Sequence, residues 1–259
     1  METRLVTSTA NPVVKMLKSL SVKKYREEEG LFLVEGARHM QDALSGGYEL
    51  IFAAYGPRAG STERQVTATA NDIIEVTDEI LSRITGRDNP QSVIGAFRIP
   101  QYDLSLATGG LWVALEGIRD PGNLGTIIRT ADAAGAAGII LLGNCCDPYQ
   151  PEAIRGSMGS FGRIKTVPAS LPDFLAWRKN WPGTVVGTHL HRNAGDFRET
   201  AYKLPLLLLM GSESQGLSPE AVAACDTLVK IPMLGGAESL NLAVSTALML
   251  YEIQRDTLK

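Results

Sequence analysis

The sequence predicts an α/β protein in two parts: a small α/β domain over residues 1–103, then a mainly parallel sheet with helices on both faces over residues 104–259. Three observations carry this. Beyond residue 110, short apolar runs of strand length alternate with helical patterns, as strands covered on both faces of a parallel sheet require. Before it, the same alternation is present with weaker patterns. Between the two, residues 100–110 end in Thr108-Gly109-Gly110 and have the composition of a linker. A chain of 259 residues, 44% hydrophobic and 20% charged, is long enough for two cores.

Asn11-Pro12 has the form of an N-cap followed by proline at the first helical position, and Val13, Leu17 and Leu20 recur at helical spacing in a segment that Gly30 stops. Residues 31–34 read as a short apolar strand and 36–44 as a helix ending at Ser45-Gly46-Gly47. Further strands are predicted at 50–55, 73–76 and 93–99, with helices at 62–70 and 78–84. In the second part, 111–115 is an apolar strand, 123–134 a helix with Gly135 in the stop position, and 139–142 another strand. Later strands fall at 184–189, 206–210 and 228–231, and residues 240–255 close the chain as a long helix.

Composition excludes several classes. No run reaches the ~20 apolar residues of a membrane helix, and the longest aliphatic run, 204–210, contains Pro205. Met1-Glu2-Thr3-Arg4 lacks the basic start and apolar stretch of a signal peptide, so the expected compartment is the cytoplasm. Cys145, Cys146 and Cys225 form no C-x-x-C and are expected as reduced, partly buried thiols. A net charge of −3 is not that of a general nucleic-acid coat, yet its distribution is uneven. Arg4, Lys15, Lys18, Lys23, Lys24 and Arg26 are offset only by Glu2 before Glu27-Glu28-Glu29 ends the basic arm. Charge alone leaves two readings open, phosphate contact or a solvated helix face.

Three segments of the second part are too rich in glycine and small polar residues to be plain connections. The first runs from Glu116 through Gly117, Asp120, Pro121, Gly122, Asn123 and Gly125 into a helix carrying Arg129. The second, Gly211-Ser212-Glu213-Ser214-Gln215-Gly216, follows the strand at 206–210. The third runs from Ile231-Pro232-Met233 through Gly235-Gly236 to Ser239-Leu240-Asn241. Each lies where a strand ends, the edge at which open α/β sheets hold ligands, and helix N-termini there offer free N–H groups. Tight turns alone are the other explanation of the glycines. Neither G-x-x-x-x-G-K-[ST] nor G-x-G-x-x-G occurs at the first turn, so a P-loop and a nicotinamide site are excluded.

Taken in order, Asp120-Pro121-Gly122-Asn123-Leu124-Gly125 with Ile128-Arg129-Thr130-Ala131, then Gly211-Ser212-Glu213 with Gly216, then Ile231-Pro232-Met233 with Ser239-Leu240-Asn241, resemble the three signature motifs of the SpoU/TrmH (SPOUT) family of RNA ribose methyltransferases. Arg155-Gly156-Ser157-Met158-Gly159-Ser160 resembles a family segment between the first two motifs. Residues 11–44, including Lys24-Tyr25-Arg26 and Phe32-Leu33-Val34-Glu35-Gly36, resemble the family's N-terminal substrate-binding domain. Ser214, Gln215 and Ala243 depart from common family choices and bear on the detailed shape of a pocket.

The resemblance implies a deep trefoil knot in the second domain, one of the rare exceptions to unknotted chains. It implies S-adenosylmethionine as cofactor, surrounded by Thr188, His189, Leu209, Gly211, Glu213, Ile231, Met233, Leu240 and Asn241. It also implies a homodimer with active sites at the interface, no metal, and RNA contacts from the first domain, for which the candidates are Lys15, Lys18, Lys23, Lys24, Arg26 and Arg38. The implied reaction is transfer of a methyl group to a ribose 2′-hydroxyl, with ribosomal RNA the expected substrate on domain architecture. Transfer RNA, or a non-catalytic ribosome-assembly role for the same fold, are the alternatives.

By the same resemblance Arg129 helps to activate the hydroxyl with Asn123 and Glu213, while Ser239 and Asn241 orient nearby groups. A 2′-hydroxyl is a poor nucleophile until its proton is drawn away. A guanidinium, with a pKa above 12, is better suited to gripping a phosphate and stabilising an emerging alkoxide than to acting as the base. The plain alternative for Arg129 is a helix arginine in a salt bridge. His189 and His191 form an H-x-H, but no third ligand lies nearby.

Overall fold

The computed structural model describes residues 4–190 and 194–257, so His191 lies outside the described residues. The chain divides into two compact units, Met1–Gln101 with Tyr149–Arg163, and Tyr102–Pro148 with Ile164–Lys259. Residues 102 and 103 thus group with the second unit, and Tyr102 and Leu104 pack against its core.

The first unit holds β1 (Arg4–Val6), α1 (Pro12–Ser19), α2 (Lys23–Glu29), β2 (Leu31–Glu35), α3 (Ala37–Ser45), β3 (Leu50–Tyr55), α4 (Ser61–Thr67), β4 (Asp72–Val76), α5 (Asp78–Thr85) and β5 (Val93–Arg98). Its sheet runs β1-β4-β3-β5-β2, with β1, β4 and β3 parallel and β5 antiparallel to both β3 and β2. Asn11 caps α1 as expected, its side chain accepting the Val13 N–H at 2.8 Å. The single helical segment expected up to Gly30 is two helices. The hydroxyls of Ser19 and Ser21 donate back to the carbonyls of Met16 (2.7 Å) and Lys18 (2.9 Å), which competes with helix continuation. The guanidinium of Arg26 takes the Leu20 carbonyl at 2.7 Å. Arg26 is only 2% exposed, so it braces the joint between α1 and α2 and does not belong to an RNA-facing surface.

The sequence reading placed residues 149–163 in the second domain; by contacts they group with the first unit. The Tyr149 ring lies 4.7 Å from Phe32 between centroids, and the Tyr48 hydroxyl donates to the Phe161 carbonyl at 3.3 Å. Gly46 and Gly162 meet backbone to backbone, where a Cβ on either would overlap a main-chain oxygen.

The chain continues through β6 (Leu111–Glu116), α6 (Pro121–Ala133), β7 (Gly138–Leu142), α7 (Pro151–Gly156, in the first unit), β8 (Lys165–Ala169), α8 (Leu171–Arg178), β9 (Thr184–Thr188), β10 (Gly195–Asp196), β11 (Leu206–Met210), α9 (Pro219–Ala223), β12 (Thr227–Lys230) and α10 (Leu242–Ile253). The second sheet runs β10-β12-β9-β11-β6-β7-β8, and every neighbouring pair is parallel. β11 is at most 2% exposed along its whole length, so its continuous apolar run reports burial on both faces. β8 escaped the sequence reading because Pro168 interrupts its pattern; the strand sits at the sheet edge, where proline costs no shared hydrogen bond. Among the described residues no helix is long and apolar enough to cross a membrane.

Candidate active site

Three neighbouring strands, β12, β9 and β11, point their carboxyl ends at one cavity of about 390 Å³, a size in the range of small-ligand sites. Its wall is built from the ends of those strands and the loops that follow. The Thr188 hydroxyl donates to the Met210 sulfur at 3.3 Å, joining the tips of β9 and β11. The His189 N–H donates to the Val229 carbonyl at 2.9 Å, holding the chain leaving β9 against β12.

The loop after β11 closes on itself. Ser212 and Gly216 exchange backbone hydrogen bonds at 3.1 and 2.9 Å, and the Gln215 N–H donates to Ser212 Oγ at 3.3 Å. Gly211 lets the two arms meet, since a Cβ there would overlap the Gly216 carbonyl carbon. The exit of the loop is tied down where Glu116, ending β6, accepts the Ser218 N–H at 2.8 Å. These constraints fix Glu213 at the loop tip.

Glu213 is the meeting point of all three glycine-rich segments. Its Oε1 accepts from Asn123 Nδ2 at 2.7 Å, and from Asn241 Nδ2 and the Leu242 N–H at 3.4 Å each. Asn241 Nδ2 also donates to Asn123 Oδ1 at 3.0 Å. The local fold explains why each partner is available. Asp120 caps α6 by accepting the Asn123 N–H at 2.6 Å, with Pro121 at the first helical position. Asn241 caps α10 through Oδ1, which leaves its Nδ2 free to turn back to the clasp. The expected helix from residue 240 therefore begins at Leu242.

Of the expected cofactor residues, Thr188, His189, Gly211, Glu213, Ile231, Met233 and Leu240 line the cavity, as does Ser239. Leu209 does not; its side chain is fully buried in the core behind it. Asn123 and Asn241 stand beside the cavity and reach it through Glu213. Arg129 is the ninth residue of α6, about 9 Å along the axis from Asn123. It is exposed, lines no part of the cavity, and makes no side-chain ion pair or hydrogen bond among the described residues. Sequence reasoning missed Leu190, Met210, Lys230, Val229, Leu242 and Ser245 on the cavity wall. The first three and Leu242 adjoin residues that were named; Ser245 lies one helical turn after Asn241, a spacing that puts both on one face.

Residues 110–251 match the SpoU rRNA methylase family, and residues 11–95 match an MRM3-like substrate binding domain. The chain belongs to the SpoU rRNA methylase family. Among solved structures, the AdoMet-bound rRNA methyltransferase from Sinorhizobium meliloti is 41% identical with a TM-score of 0.92, covering 99% of each chain. The 23S rRNA (guanosine(2553)-2'-O)-methyltransferase of Bacillus subtilis (strain 168) is 30% identical over 96% of this chain and 98% of its own. The tRNA (guanosine(18)-2'-O)-methyltransferase of Escherichia coli (strain K12) is 37% identical over 56% of this chain and 63% of its own. As a SpoU methylase with its three motifs locked around one cavity, the chain is an S-adenosylmethionine-dependent RNA 2′-O-ribose methyltransferase.

Proposed function

We propose that this SpoU methylase acts on ribosomal RNA, and that its 188–245 cavity presents the methyl donor to a ribose 2′-hydroxyl. The cavity carries the reading. Leu190, Ile231, Leu240 and Leu242 offer apolar faces to a flat heterocycle, and the glycine-rich loops expose backbone hydrogen-bonding groups for its edges. Glu213 lines the cavity, and its carboxylate would complement the positive charges of a sulfonium- and ammonium-bearing ligand. S-adenosylmethionine supplies an electrophilic methyl group there. The protein's part is to hold the attacking oxygen in line and to steady its charge.

In this reading Arg129 grips a phosphate beside the target ribose and steadies the charge on the oxygen as its proton passes to solvent water, while Ser239 orients groups at the cavity mouth. Asn123 and Asn241 act as positioning residues for Glu213. Arg129 stands off the cavity of its own chain, which favours a site completed by a second copy. α10 supplies a surface for that copy: Val244, Leu248 and Tyr251 recur at i, i+4 and i+7 and are 41–50% exposed.

Ribosomal RNA is favoured because full-length likeness extends through the first unit to a relative named for 23S rRNA, whereas the relative named for tRNA matches over only 145 residues. The test is transfer of labelled methyl groups to unmethylated ribosomal RNA and unmethylated transfer RNA in parallel. Label in ribosomal RNA alone is expected; label in transfer RNA alone would overturn the assignment.

A further inference from the structure

In the first unit α1 and α5 pack together, and beside them a groove of about 300 Å³ opens at the start of the α1–α2 joint. Lys15 and Lys18 stand on α1 and Arg83 on α5, and Thr9 and the half-exposed Val22 also line the groove; no carboxylate does. All three cations are exposed, and among the described residues none forms a side-chain ion pair or hydrogen bond. Several other cations of this unit are paired with carboxylates, although among the described residues Arg38 is exposed without one. Arg4 meets Asp72 at 2.6 Å, Arg58 meets Asp78 at 3.2 Å and Arg98 meets Glu49 at 2.6 Å. Lys23 and Lys24 pair with Glu27 and Glu28 at 3.7 Å each.

Three uncompensated positive charges around one concavity repel each other, and in a chain of net charge −3 they are not part of a general excess. A polyanion relieves that repulsion, and exposed lysines act on phosphates as point charges without fixing a base. No aromatic ring lines the groove, so it offers charge and no stacking platform. We propose that this groove tracks the sugar–phosphate backbone of the RNA substrate, with Lys15, Lys18 and Arg83 each neutralising a phosphate and adding affinity without sequence choice. The proposal rests on the RNA reading above and assigns Arg83, which the sequence alone did not single out.

The experiment measures binding of a fluorescein-labelled single-stranded RNA 30-mer of mixed sequence to the full chain, as a function of salt. Each phosphate contact in a single strand contributes about 0.7 to the slope of log K against log salt. The variant K15Q/K18Q/R83Q is expected to lower that slope by about 2 and to leave S-adenosylmethionine binding unchanged. The charge-matched control R4Q/R58Q/R98Q, which removes paired cations, is expected to keep the wild-type slope. Single variants Lys15→Gln and Arg83→Gln, each lowering the slope by about 0.7, keep the test readable if the triple variant melts early. A wild-type slope in the groove variants, or an equal loss in the control, would overturn the proposal and leave the RNA reading standing. Inorganic phosphate displacing the RNA more strongly than sodium chloride at equal ionic strength would also overturn it, as a small-anion site. Wild-type protein with no salt-dependent RNA binding would instead sink the RNA reading itself.

Discussion

Replacing Asn241 by aspartate separates two roles that the native side chain combines. Oδ1 caps α10, accepting the N–H groups of Ala243 at 2.9 Å and Val244 at 3.2 Å. Nδ2 holds the clasp, donating to Asn123 at 3.0 Å and Glu213 at 3.4 Å. Aspartate caps a helix as well as asparagine does, and its charge suits the helix N-terminus. The clasp, however, loses its donor and gains a carboxylate about 3.4 Å from that of Glu213. Asn241 and Glu213 are both exposed, so the dielectric of water applies and the repulsion is roughly 1 kcal/mol. Losing the donated hydrogen bonds adds about 1 kcal/mol more. Together they predict a cofactor dissociation constant up to about 30-fold weaker and, because the clasp is part of the folded chain, a melting temperature lower by about 4–8 °C. Asn241→Ala, which loses cap and clasp alike, should also melt lower. Calorimetric titration with S-adenosylmethionine and thermal melts of the apo-protein give both numbers. Wild-type affinity in Asn241→Asp, with loss confined to Asn241→Ala, would show that the cap matters and the clasp does not.

Other substitutions probe other parts of the account. Gly211→Ala forces apart the Ser212–Gly216 bridge; cofactor titration should show at least a tenfold loss, with the fold retained by circular dichroism. Arg26→Ala should lower stability by roughly 2–4 kcal/mol in urea unfolding, as buried hydrogen-bonded groups do, while the salt dependence of RNA binding stays at the wild-type slope. Burial pushes the thiols of Cys146 and Cys225 up to about 12, and burial also raises Cys145. All three therefore stay protonated at pH 8, where unfolded thiols begin to ionise. Alkylation by iodoacetamide at pH 8 should be slow in the native protein and fast in denaturant; fast native reaction would refute the burial argument.

Local patterns announced what local physics builds. The apolar run of β11, the Asp120–Pro121 start of α6 and the Asn11–Pro12 start of α1 each stand where the sequence put them. The cavity wall was legible for the same reason, because glycine and small polar residues mark the strand ends that carry it. Long-range partnerships left no such mark. Nothing near Arg26 in the sequence distinguishes it from Lys23 and Lys24, yet the Leu20 carbonyl draws it inside. The three-residue β1 has only Val6 buried and is defined by its pairing with β4, far along the chain. Leu209 and Met210 are neighbours of similar character, and the alternation of a strand sends one into the core and the other to the cavity. The clasp of Asn123, Glu213 and Asn241 joins residues 90 and 118 positions apart, a geometry that motif order alone does not contain.

The position of the transferred methyl group decides whether the protein is a ribose methylase. Ribosomal RNA treated with the protein and labelled S-adenosylmethionine is digested to nucleosides, and the products are separated and weighed by mass spectrometry. One labelled 2′-O-methylnucleoside is expected, protected from alkali at its 3′ phosphodiester and absent when Arg129 is replaced by alanine. A label carried on a base, or an undiminished 2′-O-methyl product from Arg129→Ala, would contradict that assignment.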